Sequence, residues 1–131
     1  MWGQLFMDEN KRILIVDDEK LIREIVARIV QKRGADFIAL SGGKEVKQVL
    51  ENNAFQLAVV DLLMPDASGW DIVKMIRDDK NNSNIPIIIL SGTKISSEEK
   101  TKLLQEVNAV VNKTTFSLQG FEFVLDSCSI L

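Results

Sequence analysis

Five side chains that are able to do chemistry each come after a short apolar run of the sequence. They are the carboxylic acids Asp17, Asp18 and Asp61, the hydroxyl of Ser91 and the amine of Lys113. If the apolar runs are parallel strands of one sheet, these side chains lie at its carboxyl edge, where open α/β sheets bind ligands. We therefore expect three carboxylates, one hydroxyl and one amine to converge on a single site.

Such a cluster is suited to metal binding and to phosphoryl transfer. Three carboxylates packed together repel one another, so at neutral pH at least one takes up a proton unless a cation lies among them. All-oxygen ligation with a few waters is what Mg²⁺ prefers. A metal ion and Lys113 together would neutralise a phosphoryl group arriving on one carboxylate, which can itself be the nucleophile. Phosphoryl transfer needs mostly positioning and charge stabilisation, and this set could supply both.

Each of these residues also has a simpler interpretation. Asp17 and Asp18 could cap the helix that follows them, since acids favour helix N-termini. Asp61 could be an ordinary acid at a strand end, Ser91 a turn residue and Lys113 a solvated surface lysine. Their joint occurrence favours the site, because a carboxylate that ends so apolar a strand needs a reason.

The elements that would position these residues alternate between short strands and amphipathic helices. Strands are predicted at residues 13–16, 36–40, 56–60, 85–90 and 107–111. Helices are predicted at residues 20–33, 46–52, 72–77, 96–106 and 116–126. Five strand–helix units of these lengths predict a doubly wound α/β fold, in which helices cover both faces of a parallel sheet.

Length and charge limit the classes of protein that are possible. A chain of 131 residues, of which 46% are hydrophobic, suits one domain with its own core. We expect an N-terminal extension at residues 1–10 and a single domain at residues 11–131. The net charge of −3 gives no basic face for nucleic acid. No apolar run approaches the roughly 20 residues needed to cross a membrane.

Two residue types are informative through their scarcity. Histidine is absent, which excludes histidine zinc sites, Ser-His-Asp triads and any phosphohistidine on this chain. Cys128 is the single cysteine, so the chain can form no intrachain disulfide. Together these features favour a cytoplasmic protein in which another residue type accepts any phosphate.

The motifs that contain the five side chains resemble those of response-regulator receiver domains, as found in two-component signalling. ILIVDDE (13–19) resembles the first strand of that family, and VVDLLMPDASGWD (59–71) the phosphoacceptor strand and its loop. PIIILSG (86–92) is similar to the fourth strand, and Lys113 followed by Phe116 to the end of the fifth. The resemblance covers residues 11–127 and implies a flavodoxin-like five-stranded sheet in the order 2-1-3-4-5.

The resemblance implies a magnesium site. Asp18 would bind Mg²⁺ directly, and Asp17 would assist through water. Asp61 would supply a further carboxylate oxygen, and Leu63 its backbone carbonyl. The cofactor implied for this chain is therefore Mg²⁺.

The resemblance also implies the roles in phosphorylation and the partners. Asp61 would accept the phosphoryl group, Ser91 would hydrogen-bond to it, Lys113 would pair with it and Gly92 would leave room for its oxygens. The donor would be a histidine on a histidine kinase or phosphotransfer protein. The output would pass to a downstream protein partner or a fused domain, with a weak homodimer possible and with neither nucleic acid nor membrane bound by this domain.

Two positions depart from the family pattern, and a third residue bears on hydrolysis. Thr114 follows the lysine where the family usually has proline, which predicts a looser loop around Lys113. Val110 stands where the family usually has a tyrosine or phenylalanine that acts as a rotameric switch, so the output surface should signal differently. Leu63 places an apolar side chain beside the site, and we expect it to slow hydrolysis by hindering water.

Three other functions compete with a phosphorylation switch. The same fold could serve only as a protein-binding module without phosphate chemistry, which Val110 and Thr114 favour and the intact acids oppose. An aspartyl phosphatase would need a second aspartate two residues after the nucleophile, where this chain has Leu63. A flavin-binding protein would need a phosphate-binding loop after the first strand, where residues 17–19 are all acidic.

Overall fold

The computed structural model describes residues 11–128 as strands that alternate with helices, as predicted. The strands are β1 (Arg12–Val16), β2 (Asp36–Leu40), β3 (Leu57–Asp61), β4 (Ile87–Ser91) and β5 (Ala109–Asn112). The helices are α1 (Lys20–Lys32), α2 (Val46–Asn52), α3 (Gly69–Asp78), α4 (Ser97–Leu103) and α5 (Leu118–Ser127), with a 3₁₀ helix at Lys113–Thr115. The predicted N-terminal extension at residues 1–10 lies outside the described residues.

The strands form one parallel sheet in the order β2-β1-β3-β4-β5, which confirms the predicted fold. Its order reverses between β1 and β3, because β2 lies on one side of β1 and the later strands on the other. The carboxyl ends of β1 and β3 are therefore neighbours. Open α/β sheets bind ligands at such a point.

Both faces of the sheet are buried, because its strands are apolar on both sides. On β1, Leu14 and Val16 belong to one core and Ile13 and Ile15 to the other, and all four are fully buried. The first core also contains apolar side chains of α2, α3 and α4, and the second contains those of α1 and α5. With both faces covered by helices, the edge at the strand ends is left for function.

Several predicted boundaries shift by one to three residues, for local reasons. Strand β3 extends to Asp61 instead of ending before it, and β4 extends to Ser91. Helix α5 begins at Leu118 because the Ser117 hydroxyl caps it by accepting a hydrogen bond from the Gly120 amide. Helix α4 begins at Ser97, one residue after its predicted start, because the Ser96 hydroxyl caps it by accepting a hydrogen bond from the Glu99 amide. It ends at Leu103, three residues before its predicted end, where the chain tightens into turns.

A buried asparagine that the sequence did not indicate fixes the connection between α3 and β4. Asn82 is fully buried, and its side-chain amide donates to the carbonyls of Leu50 and Asn53 and to Asp79 Oδ2. Its Oδ1 accepts from the amide of Phe55 at 2.7 Å. The side chain thereby replaces backbone hydrogen bonds that the surrounding turns do not make for themselves.

Candidate functional site

The three predicted acids converge at the carboxyl edge of β1 and β3. Asp17 and Asp61 are buried and Asp18 is exposed, and one carboxylate oxygen of each lies within 4.8 Å of the others. Asp17 and Asp18 follow β1, and Asp61 is the last residue of β3. The strand pairing of Val16 with Val60 brings these acids side by side, as the sequence predicts.

Lys113 reaches the same cluster from the end of β5. Its Nζ lies 2.9 Å from Asp17 Oδ2 and 3.2 Å from Asp61 Oδ2, and it also donates a hydrogen bond to Glu19. The Lys113 side chain is only 8% exposed. Most of this ammonium's surroundings are therefore carboxylates, and Glu19 is a partner that the sequence did not indicate.

The segment that carries Lys113 contains a short helical turn that the sequence analysis did not predict. Lys113–Thr115 forms a 3₁₀ helix, and the Asn112 side chain caps it by accepting hydrogen bonds from the amide and the hydroxyl of Thr114. The neighbouring Asn112 thus restrains the backbone at Thr114. The looser loop expected around Lys113 stays a prediction.

Burial dominates the pKa values of the two inner acids. Burial and the charge of Asp17 raise the pKa of Asp61 from 3.8 to about 7, although Lys113 acts in the opposite direction. Burial also raises the pKa of Asp17, against hydrogen bonds from Lys113 and the Glu19 amide. Burial would lower the pKa of Lys113, but its carboxylate partners outweigh burial and raise it. The cluster therefore favours either a proton on Asp61 or an added cation.

The loop after β3 is tightly packed against the end of that strand. The amide of Gly69 donates to the carbonyl of Leu62 at 2.6 Å. A Cβ atom at Gly69 would lie 2.7 Å from the carbonyl oxygen of Asp61, a distance that requires glycine or a shift of the backbone. The loop therefore fixes Leu63 beside the cluster, where its amide faces Asp61 Oδ1 at 3.4 Å and its side chain is 59% exposed.

The loop before α2 contacts the loop after β3 through hydrogen bonds that the sequence did not indicate. Both carboxylate oxygens of Asp66 accept from the amide of Gly43, at 3.2 and 3.1 Å. A Cβ atom at Gly43 would meet the Cβ atom of Ala67 at 2.6 Å, so the backbone at Gly43 packs closely against the Ala67 side chain. Two consecutive glycines before α2 are the signal that could have indicated this close approach.

Ser91 is buried at the end of β4, next to the carboxylate cluster. Its hydroxyl donates to the carbonyl of Thr93 at 2.7 Å, so it is engaged by its own loop. At Gly92 an added Cβ would touch only Lys113 Cδ, at 3.8 Å, which is an ordinary contact. Among the described residues, steric crowding therefore does not by itself require glycine at this position.

A small cavity lies between Ser91 and the surface near α4. It has a volume of about 150 Å³ and is lined by residues of β4, of β5, of the loop between β4 and α4, and by Lys100 of α4. These lining residues are Ser91, Thr93, Lys94, Ile95, Lys100, Val110 and Asn112. A volume of this size is comparable to that of one aromatic ring. The valine side chain at position 110 leaves this space open.

The acids meet the chemical requirements of a divalent cation. Three carboxylates offer oxygen ligands in one place, and the exposed Asp18 leaves a path for a hydrated ion. Asp17 Oδ2 is buried and accepts no hydrogen bond from the described residues, although Lys113 lies beside it as an ion-pair partner. A cation among these oxygens would offset the repulsion that raises the pKa of Asp61.

The comparison with known families decides what this fold and site represent. The family model described as response regulator receiver domain matches residues 13–119. The chain belongs to this family. Receiver domains are signalling domains of two-component systems and not a classical enzyme family. The acidic site of this receiver domain fits the phosphoacceptor site of its family.

Curated relatives are similar over part of their length. The response regulator RR06 of Streptococcus pneumoniae is 37% identical over 80 residues, which are 61% of this chain and 36% of the relative. The CAI-1 autoinducer sensor kinase/phosphatase CqsS of Vibrio cholerae is 32% identical over 84 residues, which are 63% of this chain and 12% of the relative. The chain therefore spans well under half of either relative.

A solved structure of a response regulator shows the same architecture. The response regulator TrrA of Thermotoga maritima, in complex with Mg(2+)-BeF, is 27% identical and has a TM-score of 0.74. The similarity covers 90% of this chain and 98% of that one.

None of the helices at residues 11–128 has the length and apolar character needed to span a bilayer.

Proposed function

We propose that Asp61 of this receiver domain accepts a phosphoryl group from a phosphohistidine of a partner protein, with Mg²⁺, and that this alters a protein-binding surface. The observation that carries the proposal is the position of Asp61. Its carboxylate is buried at the sheet edge with Asp17 on one side and the Lys113 ammonium 3.2 Å away. A nucleophile in this setting has the charges of the reaction already arranged around it.

The transfer exchanges one bond to phosphorus for another. A carboxylate oxygen of Asp61 attacks the phosphorus, the bond from phosphorus to the imidazole nitrogen breaks, and the nitrogen keeps the electron pair. Lys113 pairs with the phosphoryl oxygens as they arrive. Hydrolysis later breaks the bond between phosphorus and the Asp61 oxygen, with water as nucleophile. The domain thus catalyses only its own phosphorylation and dephosphorylation.

Mg²⁺ would be held by the residues that the family resemblance indicates. Asp18 and Asp61 would bind it directly, Asp17 would bind it through water, and Leu63 would contribute its backbone carbonyl. When bound, the ion supplies positive charge that neutralises phosphoryl oxygens. Two features support this assignment: the clustered carboxylate oxygens, and the buried Oδ2 of Asp17, which accepts no hydrogen bond from the described residues and has only an ion-pair partner in Lys113.

Ser91 would report the phosphorylated state to the surface. Its hydroxyl now donates to the carbonyl of Thr93 and would exchange this bond for one to a phosphoryl oxygen. The carbonyl of Thr93 would then lose its donor, so the loop that leads to α4 would change. Gly92, between these residues, would leave space for the phosphoryl oxygens beside Lys113.

The partners follow from this chemistry. The donor would be a histidine kinase or a phosphotransfer protein, because this chain has no histidine of its own. The output would go to a downstream protein or a fused domain, and a weak homodimer stays a prediction. The lone cysteine, which permits no intrachain disulfide, supports a cytoplasmic location.

The test is phosphorylation by a small phosphodonor. The purified protein is incubated with phosphoramidate and Mg²⁺, and intact mass spectrometry should show the mass gain of one phosphoryl group. Asp61→Asn should abolish the gain. Asp71→Asn, which changes an exposed acid on α3, should not affect it. If the wild-type protein gains no mass, the domain serves only as a protein-binding module. If Asp61→Asn still gains the mass, another residue accepts the phosphoryl group and the proposal fails.

A further inference from the structure

The carboxylate of Glu19 does not cap the helix at whose start Glu19 stands. Glu19 is the N-cap residue of α1, yet its side chain accepts no hydrogen bond from the first turn of that helix. Its backbone does contribute, since its carbonyl accepts from the amide of Arg23. The carboxylate instead accepts a hydrogen bond from Lys113, which is distant in sequence. Glu19 therefore contributes to the site and not to helix capping.

Three carboxylates share the ammonium of Lys113, and they differ in burial. The side chains of Asp17 and Asp61 are 1% and 3% exposed, whereas that of Glu19 is 58% exposed. The ammonium lies nearer to the oxygens of Glu19 and Asp17 than to that of Asp61. Glu19 is thus the partner on the solvent side of the cluster.

We propose that Glu19 is a positioning residue that holds the Lys113 ammonium toward solvent, which favours Mg²⁺ binding at the inner acids and slows the capture of an anionic phosphoryl group. The inference rests on the proposed function for its second half. The first half concerns the metal-binding acids alone and can be measured without phosphorylation.

Removing the charge of Glu19 has opposite effects on a cation and on an anion. Without Glu19, Lys113 pairs more closely with Asp17 and Asp61 and competes with Mg²⁺, and one attractive charge for the cation is lost. Both changes weaken Mg²⁺ binding. The same change removes a carboxylate that competes with the phosphoryl group for Lys113 and that repels the anionic donor, so phosphorylation at saturating Mg²⁺ becomes faster.

This pair of opposite changes separates positioning from a structural role. A variant that merely loosens the fold would bind Mg²⁺ less tightly and also react more slowly. The ion pair between Glu19 and Lys113 is largely exposed on the Glu19 side, so its effect on Mg²⁺ binding and on phosphorylation is moderate and is weakened by salt. We expect each change to be roughly two- to fivefold at low ionic strength, and smaller at high ionic strength.

The experiment compares Glu19→Gln with a matched control in the same helix. Glu24→Gln removes one charge from an exposed residue of α1 whose ion-pair partner is Lys20 and not Lys113. Mg²⁺ affinity is measured by calorimetry. The phosphorylation rate with phosphoramidate is measured at saturating Mg²⁺, so that the weaker metal affinity does not limit it. Both are repeated at high salt.

We expect weaker Mg²⁺ binding and faster phosphorylation in Glu19→Gln, with neither change in Glu24→Gln. Loss of both affinity and rate, or an unchanged Mg²⁺ affinity, would overturn the inference. A rate equal to that of the wild type would also overturn it. If the wild type takes up no phosphoryl group at all, the proposed function fails, and the Mg²⁺ affinity of Glu19→Gln still decides the first half of the inference.

Discussion

Removing the phosphoacceptor charge should stabilise the metal-free domain, and the effect should depend on pH. Asp61 is buried beside Asp17, and its pKa is raised from 3.8 to about 7. Between these two pH values the folded domain binds more protons than the unfolded chain does. The free energy of unfolding therefore falls as pH rises across this window. Asp61→Asn removes the carboxyl group whose ionisation lowers the free energy of unfolding.

The magnitude follows from the shift. A rise of about three pH units in pKa corresponds to about 4 kcal/mol of unfavourable interaction for the charged form. Asp17 and Asp61 interact, so this value is the largest gain that removal of one charge gives. We expect Asp61→Asn to be more stable than the wild type by about 2–4 kcal/mol at pH 8.

Urea unfolding followed by circular dichroism, with a chelator present, measures this difference. The advantage of Asp61→Asn should be small at pH 4 and should grow until about pH 7. Added Mg²⁺ should stabilise the wild type more than the variant, because a cation offsets the same repulsion. The control Asp71→Asn should show neither trend. A variant that is no more stable than the wild type at pH 8 would refute the electrostatic reasoning.

Three further changes test individual parts of the structure. Asn82→Ala should lower the free energy of unfolding by about 2–4 kcal/mol, because it leaves buried backbone groups unpaired, while exposed Asn84→Ala should change it little in the same urea experiment. Gly69→Ala should lower the free energy of unfolding by about 1–3 kcal/mol, because its Cβ would displace the carbonyl of Asp61. The same displacement should weaken Mg²⁺ binding measured by calorimetry, and an affinity equal to that of the wild type would contradict this. Leu63→Asn should shorten the phosphoryl lifetime severalfold in a dephosphorylation assay, because a polar side chain admits water; an unchanged lifetime would refute that role for Leu63.

The parts of the site that the sequence predicted are those that strand ends determine. When helices cover both faces of a sheet, an apolar strand ends where the chain leaves the core. The residues that end or follow the parallel strands β1 and β3 must therefore lie together at the carboxyl edge of the sheet. Asp17 and Asp61 could be placed by this reasoning alone. Their roles in binding metal and phosphate came from the family motifs and stay proposals.

The contacts that the sequence did not predict connect loops distant in the chain. Glu19 with Lys113 and Asp66 with Gly43 depend on side-chain rotamers and on the exact paths of loops. Periodicity predicts which face a helix buries, but it does not predict where a long side chain reaches. The 3₁₀ helix at Lys113–Thr115 was missed for a similar reason, since one side chain, that of Asn112, decides it.

We expect the path from the site to the surface to differ from one built on a large aromatic switch. Val110 leaves open a cavity of about 150 Å³ beside Ser91, and a valine has no ring to turn into it. Two other contacts lead toward α4 from the neighbourhood of the site. The Ser91 hydroxyl is bonded to the loop before α4 at Thr93, and the Trp70 indole donates to Glu99 on α4 at 3.3 Å. Because Trp70 follows Gly69, which packs against Asp61, we expect a displacement of the loop after β3 to reach α4 through Trp70 and Glu99 without a ring at position 110.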